Sequence, residues 1–320
     1  MEPVKTAVIG VGYLGRFHAQ KYAMLQDSQL VGVVDTDEYQ ARKVAEECDT
    51  EPFFDYRDII DMVDAVSIVV PTTFHYQVAR DFLMAGKHVL LEKPMTVTVE
   101  EADELIRISE EKKAVLQVGH LERFNPAIVT LTQQVDAPLF IEAHRLSGFK
   151  PRAIDVDVVL DLMIHDIDII LALVNSPVKE IRAAGVPVLT SRVDIANVRL
   201  MFESGCTANL TASRISLKDL RRIRVFQPGR YISADCTDRT NLIVHGEDAI
   251  NNPMGIEPQF LEHNQTDNLL EEIKEFISAV RGEKQPTVDG AAGRRALSLA
   301  TEITQSILNG LEEAGIDGVM

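Results

Sequence analysis

The run Gly10-Val11-Gly12-Tyr13-Leu14-Gly15 constrains this chain more than any other stretch, because it joins an apolar strand pattern, Val4–Ile9, to a helical one. Glycines at that spacing let a strand turn tightly into a helix, let a backbone approach a pyrophosphate, and let helix and strand pack closely. Alone the spacing is a weak signal, but 20 residues after Gly15 the next strand pattern closes on Asp35. An acid at that point accepts hydrogen bonds from a ribose 2′-hydroxyl and repels a 2′-phosphate. With Thr36 following it in place of an arginine, the pattern predicts NAD over NADP, bound by Gly10, Gly12, Tyr13, Leu14, Gly15 and Asp35.

The rest of the first 119 residues repeats the strand-helix alternation, with strands expected at Val4–Ile9, Leu30–Asp35, Ala65–Val70, His88–Glu92 and Val115–Val118. Such alternation closes into a parallel sheet with helices on both faces. Gly86 sits where a helix C-terminal cap belongs, and Thr98-Val99-Glu100-Glu101 reads as a capping box. After Gly119 the character changes. Asn125-Pro126 looks like an N-cap with proline at the first helical position, and Asp157 to Val174 reads as one long apolar helix. Asn197–Phe202 and Arg222–Phe226 alternate in polarity, with Glu203-Ser204-Gly205 and Pro228-Gly229 as hairpin turns; helices near Asp267–Arg281 and Gly290–Glu312 follow. The expected fold is α/β: an N-terminal Rossmann dinucleotide-binding domain, residues 1–119, and a C-terminal α+β domain, residues 120–320, with an open, mainly antiparallel sheet.

Composition narrows the partners. A formal net charge of −17 argues against nucleic acid, since neutralising phosphates takes a basic surface. Cys48, Cys206 and Cys236 are scattered without metal-ligand spacing, which predicts inert thiols in a reducing compartment and no metal site. The first strand pattern starts at Val4, with no room for a leader, and no uncharged run reaches the roughly 18 residues of a membrane span. A cytoplasmic protein is expected.

Three further constellations carry chemistry. Glu92-Lys93-Pro94 places a lysine where a strand ends, at the edge of the sheet where ligands bind, with Glu92 beside it; desolvation lowers such an ammonium's pKa, or it holds a substrate hydroxyl against a nicotinamide. Thr72 and His75, after another strand, are candidates for the nicotinamide ribose and equally for helix caps or solvated loop positions. Asp157, Asp161, His165 and Asp168 fall in one helical stripe, and from Asp157 to Val174 the only ionisable residues are four aspartates and one histidine. Nearby carboxylates favour imidazolium, so His165 could shuttle a proton to or from a hydroxyl; an ordinary amphipathic helix and, less favoured with one histidine and no cysteine, a metal site are the alternative readings. Arg123, with Asn125 close by, suits a polyhydroxyl or anionic substrate and equally an interdomain ion pair.

Across essentially its whole length the chain resembles the glucose-fructose oxidoreductase, inositol dehydrogenase and MocA (Gfo/Idh/MocA) family, on Gly10/Gly12/Gly15, Glu92-Lys93-Pro94, and Asp161 with His165 as an Asp-x-x-x-His pair. The resemblance implies NAD(P)-dependent oxidation or reduction of a sugar-like hydroxyl, with Lys93, Asp161 and His165 as the catalytic set. It also implies a C-terminal sheet used for homodimer or homotetramer contacts. One departure is that Asp157-Val158-Val159 replaces the glycine pair usual before the Asp-x-x-x-His helix. Residues 119–126 and 165–170 are most similar to members acting on nucleotide-linked amino sugars, which implies UDP-N-acetylglucosamine as substrate, oxidised at its 3-hydroxyl. Arg145, Lys150, Arg152, Arg214, Lys218 and Arg221 are then candidates to hold the diphosphate, or equally surface charges, and an aminotransferase is a natural downstream partner. An inositol or free sugar, or a sugar-sensing regulator without catalysis, are the competing readings.

Overall fold

A computed structural model describes residues 2–150, 156–246 and 258–316. The chain forms two compact units, Met1–Leu121 with Asp267–Arg294, and Glu122–Thr266 with Arg295–Met320.

In the first unit the expected alternation appears as β1 (Val4–Ile9), α1 (Tyr13–Met24), β2 (Ser28–Val34), α2 (Glu38–Cys48), β3 (Glu51–Phe53), β4 (Ala65–Ile68), α3 (His75–Met84), β5 (His88–Glu92), α4 (Val99–Lys112) and β6 (Leu116–Gly119). The strands lie in the order β3-β2-β1-β4-β5-β6, and every pairing is parallel. Chain direction across the sheet reverses between β1 and β4, the switch point outside whose carboxyl ends such sheets bind ligands. Local chemistry sets the boundaries. Thr98 accepts the Glu101 N–H while the Glu101 carboxylate accepts the Thr98 N–H, the reciprocal cap that starts α4. The chain leaves α3 through Gly86 at φ +74°, a left-handed turn that suits glycine.

The second unit begins with α5 (Pro126–Gln134), then β7 (Phe140–Leu146), α6 (Ile164–Val174), β8 (Val178–Val186), β9 (Ile195–Phe202), β10 (Thr207–Ser213), β11 (Leu220–Gln227), β12 (Arg230–Asp235), β13 (Thr240–His245) and β14 (Gln259–Glu262). The chain then forms α7 (Asn268–Val280) in the first unit and α8 (Gly290–Glu313). These eight strands order as β14-β13-β12-β11-β7-β10-β9-β8, antiparallel except for β7 beside β10. Both expected hairpins are present, the second turning at Gly229 with φ +70°. Alternation explains the layering. Ile141 and Ala143 of β7, Val198 and Leu200 of β9, and Ile223 and Val225 of β11 join the core with α5 and α6. The opposite face shows the tilted ring stack Phe140–Phe226–Tyr231 and the Arg224–Glu142 ion pair at 2.8 Å. Strands β3, β7, β8, β13 and β14 are additions to the sequence reading. Polar residues dilute the apolar signal in β7, β8 and β13, and β3 has only three residues.

Candidate active site

In the first unit the glycine turn is shaped by close approaches. Gly10 has φ +85°, and a Cβ there would lie 2.7 Å from the Val69 carbonyl oxygen; one on Gly15 would lie 1.9 Å from that of Gly10. A Cβ on Gly12 would meet nothing within 4 Å, so this glycine leaves the turn open on its outer side. Gly12 also occupies the N-cap of α1 with no side chain to offer, and the first helical turn carries no acid. The first N–H groups and the positive end of the helix dipole are thereby available to an anion. Asp35 fastens the arrangement. Its Oδ2 accepts the Val11 N–H at 2.9 Å and its Oδ1 that of Asp37 at 3.0 Å, leaving lone pairs on both oxygens for a ribose. Tyr13 is exposed and Leu14 half-buried beside the turn. These residues fit the pyrophosphate and adenine ribose of a dinucleotide.

At the end of β5, Lys93 is half-buried and its peptide bond to Pro94 is cis. Glu92 turns inward, 12% exposed: one carboxylate oxygen accepts the Lys93 N–H at 3.2 Å and the other lies 3.3 Å from Nε2 of buried His18. Burial pushes this carboxyl up, but nearby His18 first, and then the Lys93 charge and N–H, hold it below the usual range. His75 is buried beneath the loops, its Nδ1 2.9 Å from the Pro94 carbonyl and its Nε2 2.9 Å from that of Val70. A neutral imidazole has one N–H, so it donates to one of these carbonyls and merely faces the other; both edges of the ring lie against backbone, and His75 supports the site from beneath the loops instead of meeting a ribose. Burial lowers its pKa, and the two carbonyls oppose that. Thr72 remains half-buried in the short turn Thr72–Phe74 after β4. Sequence reading missed His18, although the inward stripe of α1 (Gly15, His18, Ala19, Tyr22) signals it by carrying two polar side chains where aliphatics are usual.

In the second unit, Arg123 lies 3.5 Å from the buried Asp168 carboxylate. Asn125 is fully used within the fold: its Oδ1 accepts the Ala127 N–H and caps α5, and its Nδ2 donates to the Cys236 carbonyl at 3.0 Å and faces Glu122 at 3.4 Å. It is a cap and a strut, which corrects its reading as a substrate contact.

The continuous helix expected from Asp157 is also corrected. Val159–Met163 form one π turn ahead of α6, a wide turn common at functional sites. The extra residue breaks the stripe, and Asp157 becomes the cap of that turn, accepting N–H groups of Val159 and Leu160 at 2.8 and 3.0 Å. Asp168 turns to Arg123, leaving Asp161 and His165 half-buried.

Of the six cations considered for a diphosphate, Arg145 is buried and clamped by Asp166 at 2.7 Å and Glu122 at 3.2 Å. Burial disfavours its charge, yet those two carboxylates hold the proton more firmly than in a free arginine. Arg214 is buried too, donating to the Val156 carbonyl, and Arg221 reaches Glu122 at 3.3 Å. Lys150 and Lys218 are exposed, and Arg152 lies outside the described residues. All three cysteines are free and buried, and burial pushes Cys206 up to about 11. Among the described residues no helix is long and apolar enough to cross a membrane.

Residues 4–120 match the family described as an oxidoreductase family with an NAD-binding Rossmann fold, and residues 130–229 match the GFO/IDH/MocA C-terminal domain. The UDP-N-acetylglucosamine 3-dehydrogenase of Acidithiobacillus ferrooxidans is 42% identical over 95% of this chain and 97% of its own. A crystal structure of that enzyme superposes with a TM-score of 0.91, covering 97% of this chain and all of the other. The myo-inositol 2-dehydrogenase of Thermotoga maritima is 27% identical over 95% of this chain and 96% of its own. The chain belongs to the Gfo/Idh/MocA family of NAD-binding oxidoreductases.

Proposed function

We propose that this protein oxidises UDP-N-acetylglucosamine at its 3-hydroxyl, giving a 3-oxo sugar. The observation that carries the reading is the 42% identity, over 95% of the chain, to an enzyme named for that reaction, against 27% to the inositol dehydrogenase. NAD supplies the hydride acceptor. Lys93 and His165 act on the reacting hydroxyl, one taking its proton and the other orienting it, while Asp161 holds the local charge and geometry. Exposed Lys150 and Lys218, with Arg221, offer the diphosphate its cations. The unpacked sheet face with Phe140, Phe226 and Tyr231 joins copies of the chain into a homodimer or homotetramer in the cytoplasm.

Oxidising a secondary alcohol with NAD is uphill at neutral pH, so a consumer of the ketone, an aminotransferase, completes the conversion. The test is mass spectrometry of enzyme, NAD and UDP-N-acetylglucosamine with an aminotransferase and an amino donor. A product two hydrogens lighter, or its 3-amino derivative, is expected. Turnover of an inositol or free sugar with no change in the nucleotide sugar would overturn the assignment. Asp35 predicts tighter binding of NAD than NADP, with the preference narrowed in Asp35→Ala; titrations showing wild type binding NADP as tightly would remove that role.

A further inference from the structure

The helix-covered face of the parallel sheet carries a polar seam that the proposed reaction leaves without a task. Ser67, Leu90 and Gln117 are register partners across β4, β5 and β6, and two residues on, Glu92 pairs with Gly119 on the same face. Helix α1 lays His18 and Tyr22 over this row, and α7 contributes Glu272. Ser67, Gln117, His18, Tyr22 and Glu272 are each 0% exposed. The Ser67 hydroxyl lies 3.2 Å from His18 Nδ1 and 2.8 Å from the Tyr22 hydroxyl, and Gln117 donates to the Glu272 backbone carbonyl at 3.3 Å.

Polar groups in a core are costly where an aliphatic would pack, so a seam of them running to one edge of the sheet calls for a role at that edge. The edge is Glu92. Its carboxylate is held on three sides: by the Lys93 N–H, by His18, and by the backbone of Gly119, where a Cβ would sit 2.9 Å from Oε1. A carboxylate has no proton to give, so His18 presents Nε2–H to it and meets Ser67 with Nδ1. The 3.3 Å contact is not aligned as a hydrogen bond, so it acts chiefly through charge and dipole. The ionisable groups acting on Glu92 are His18 from α1, Lys93 on its own strand end, His75 at the start of α3, and Glu272 from α7.

We propose that His18 is a positioning residue of the active site, which fixes the Glu92 carboxylate from inside the fold and through it the backbone and electrostatic field of Lys93. The inference rests on the reading of Lys93 as a group acting on the substrate hydroxyl. It makes His18 act only through Glu92, which a merely structural histidine would not do.

The test is competitive acetylation of amines across a pH series on the full-length protein with NAD, read at Lys93 by peptide mass spectrometry, beside turnover of UDP-N-acetylglucosamine. Glu92→Gln removes a neighbouring negative charge and is expected to move half-labelling of Lys93 to lower pH. His18→Asn should move it the same way by less, and the double variant should match Glu92→Gln alone. Turnover in His18→Asn should fall, by up to about 10²-fold for a displacement near 1 Å, with NAD binding kept. His18→Gln, which keeps an N–H near the Nε2 position, should recover part of the loss and serves as the test should His18→Asn not fold. Folded His18 variants with the wild-type labelling curve, or with an effect that adds to that of Glu92→Gln, would overturn the proposal. Full turnover in Lys93→Ala would instead overturn the reading it rests on, whatever the labelling shows.

Discussion

The two units bury ionisable side chains in opposite ways. In the second, each buried carboxylate described has a guanidinium: Asp166 and Glu122 share Arg145, Asp168 faces Arg123, and Asp194 lies 3.8 Å from Arg214. In the first, Glu92 and Glu272 are packed into one core with a histidine between sheet and helix and, among the described residues, no arginine in contact, while buried Glu275 pairs with a lysine, Lys284, at 3.0 Å. Guanidinium keeps its proton at any working pH, so the second arrangement holds fixed positive charges, although burial raises the Asp166 carboxyl against the pull of Arg145. In the first, burial and neighbouring charge move the two carboxyls in opposite directions, Glu92 down and Glu272 up, so its charge pattern depends on pH. The unit that carries the glycine turn and Lys93 is thus the one whose buried carboxyls stand without arginine partners among the described residues.

The largest effects are expected at Lys93 and His165, the two residues proposed for catalysis. Lys93→Ala and His165→Ala are each expected to lower turnover about 10²- to 10⁴-fold while NAD still binds. The pH–rate profile should respond to Glu92→Gln, which removes the carboxylate charge beside Lys93. Steady-state kinetics with dinucleotide titrations decides: wild-type turnover in both alanine variants would move the chemistry to other residues.

Next in size is the fixed-charge network itself. Arg145→Met leaves Asp166 and Glu122 without their shared cation, and losing one partner of a buried pair costs roughly 3–5 kcal/mol. Replacing the pair together, as Arg145→Met with Asp166→Leu, should recover much of that loss, because an apolar pair carries no desolvated charge. Urea unfolding of the single and double variants measures both. Equal stability of wild type and Arg145→Met would mean that the carboxylates keep water in the folded state.

Much of this was legible because it is local chemistry. The glycine turn with Asp35, the Thr98 box, the Asn125 cap and the Pro228-Gly229 hairpin each declare themselves within a few residues. The buried charges do not, because their partners are remote: Arg145 meets Asp166 21 residues away, and Arg221 meets Glu122 99 residues away. The alternation of β7 did offer a warning, since Arg145 falls at an inward position after Ile141 and Ala143. The π turn at Val159–Met163 was invisible for a different reason: it changes which backbone groups pair, and no side-chain pattern marks it. Asn125 carries the pattern of both a cap and a substrate contact, and the cap and its bond to the Cys236 carbonyl use up the groups a substrate would need.

The smallest expected effect separates the two units most directly. Glu272 is fully buried, and burial first, then the charges of Glu92 and Glu275, raise its carboxyl well above the ordinary value of 4.5. A carboxyl whose folded pKa is raised contributes stability that is fully present below its unfolded pKa and is lost as pH rises toward the folded one. Wild type should therefore lose stability from about pH 4.5 upward at this position, at a slope of up to about 1.4 kcal/mol per pH unit. Glu272→Gln mimics the protonated carboxyl and cannot ionise, so its advantage over wild type should grow with alkalinity and vanish in acid. Glu92 works in the opposite sense, since a lowered folded pKa gives stability present above the unfolded value and lost as pH falls. Unfolding midpoints of wild type and Glu272→Gln from pH 4 to 9 resolve the sign. Parallel curves would mean that Glu272 does not change its protonation on folding, and the contrast between a titratable core and a fixed-charge one would lose its main support.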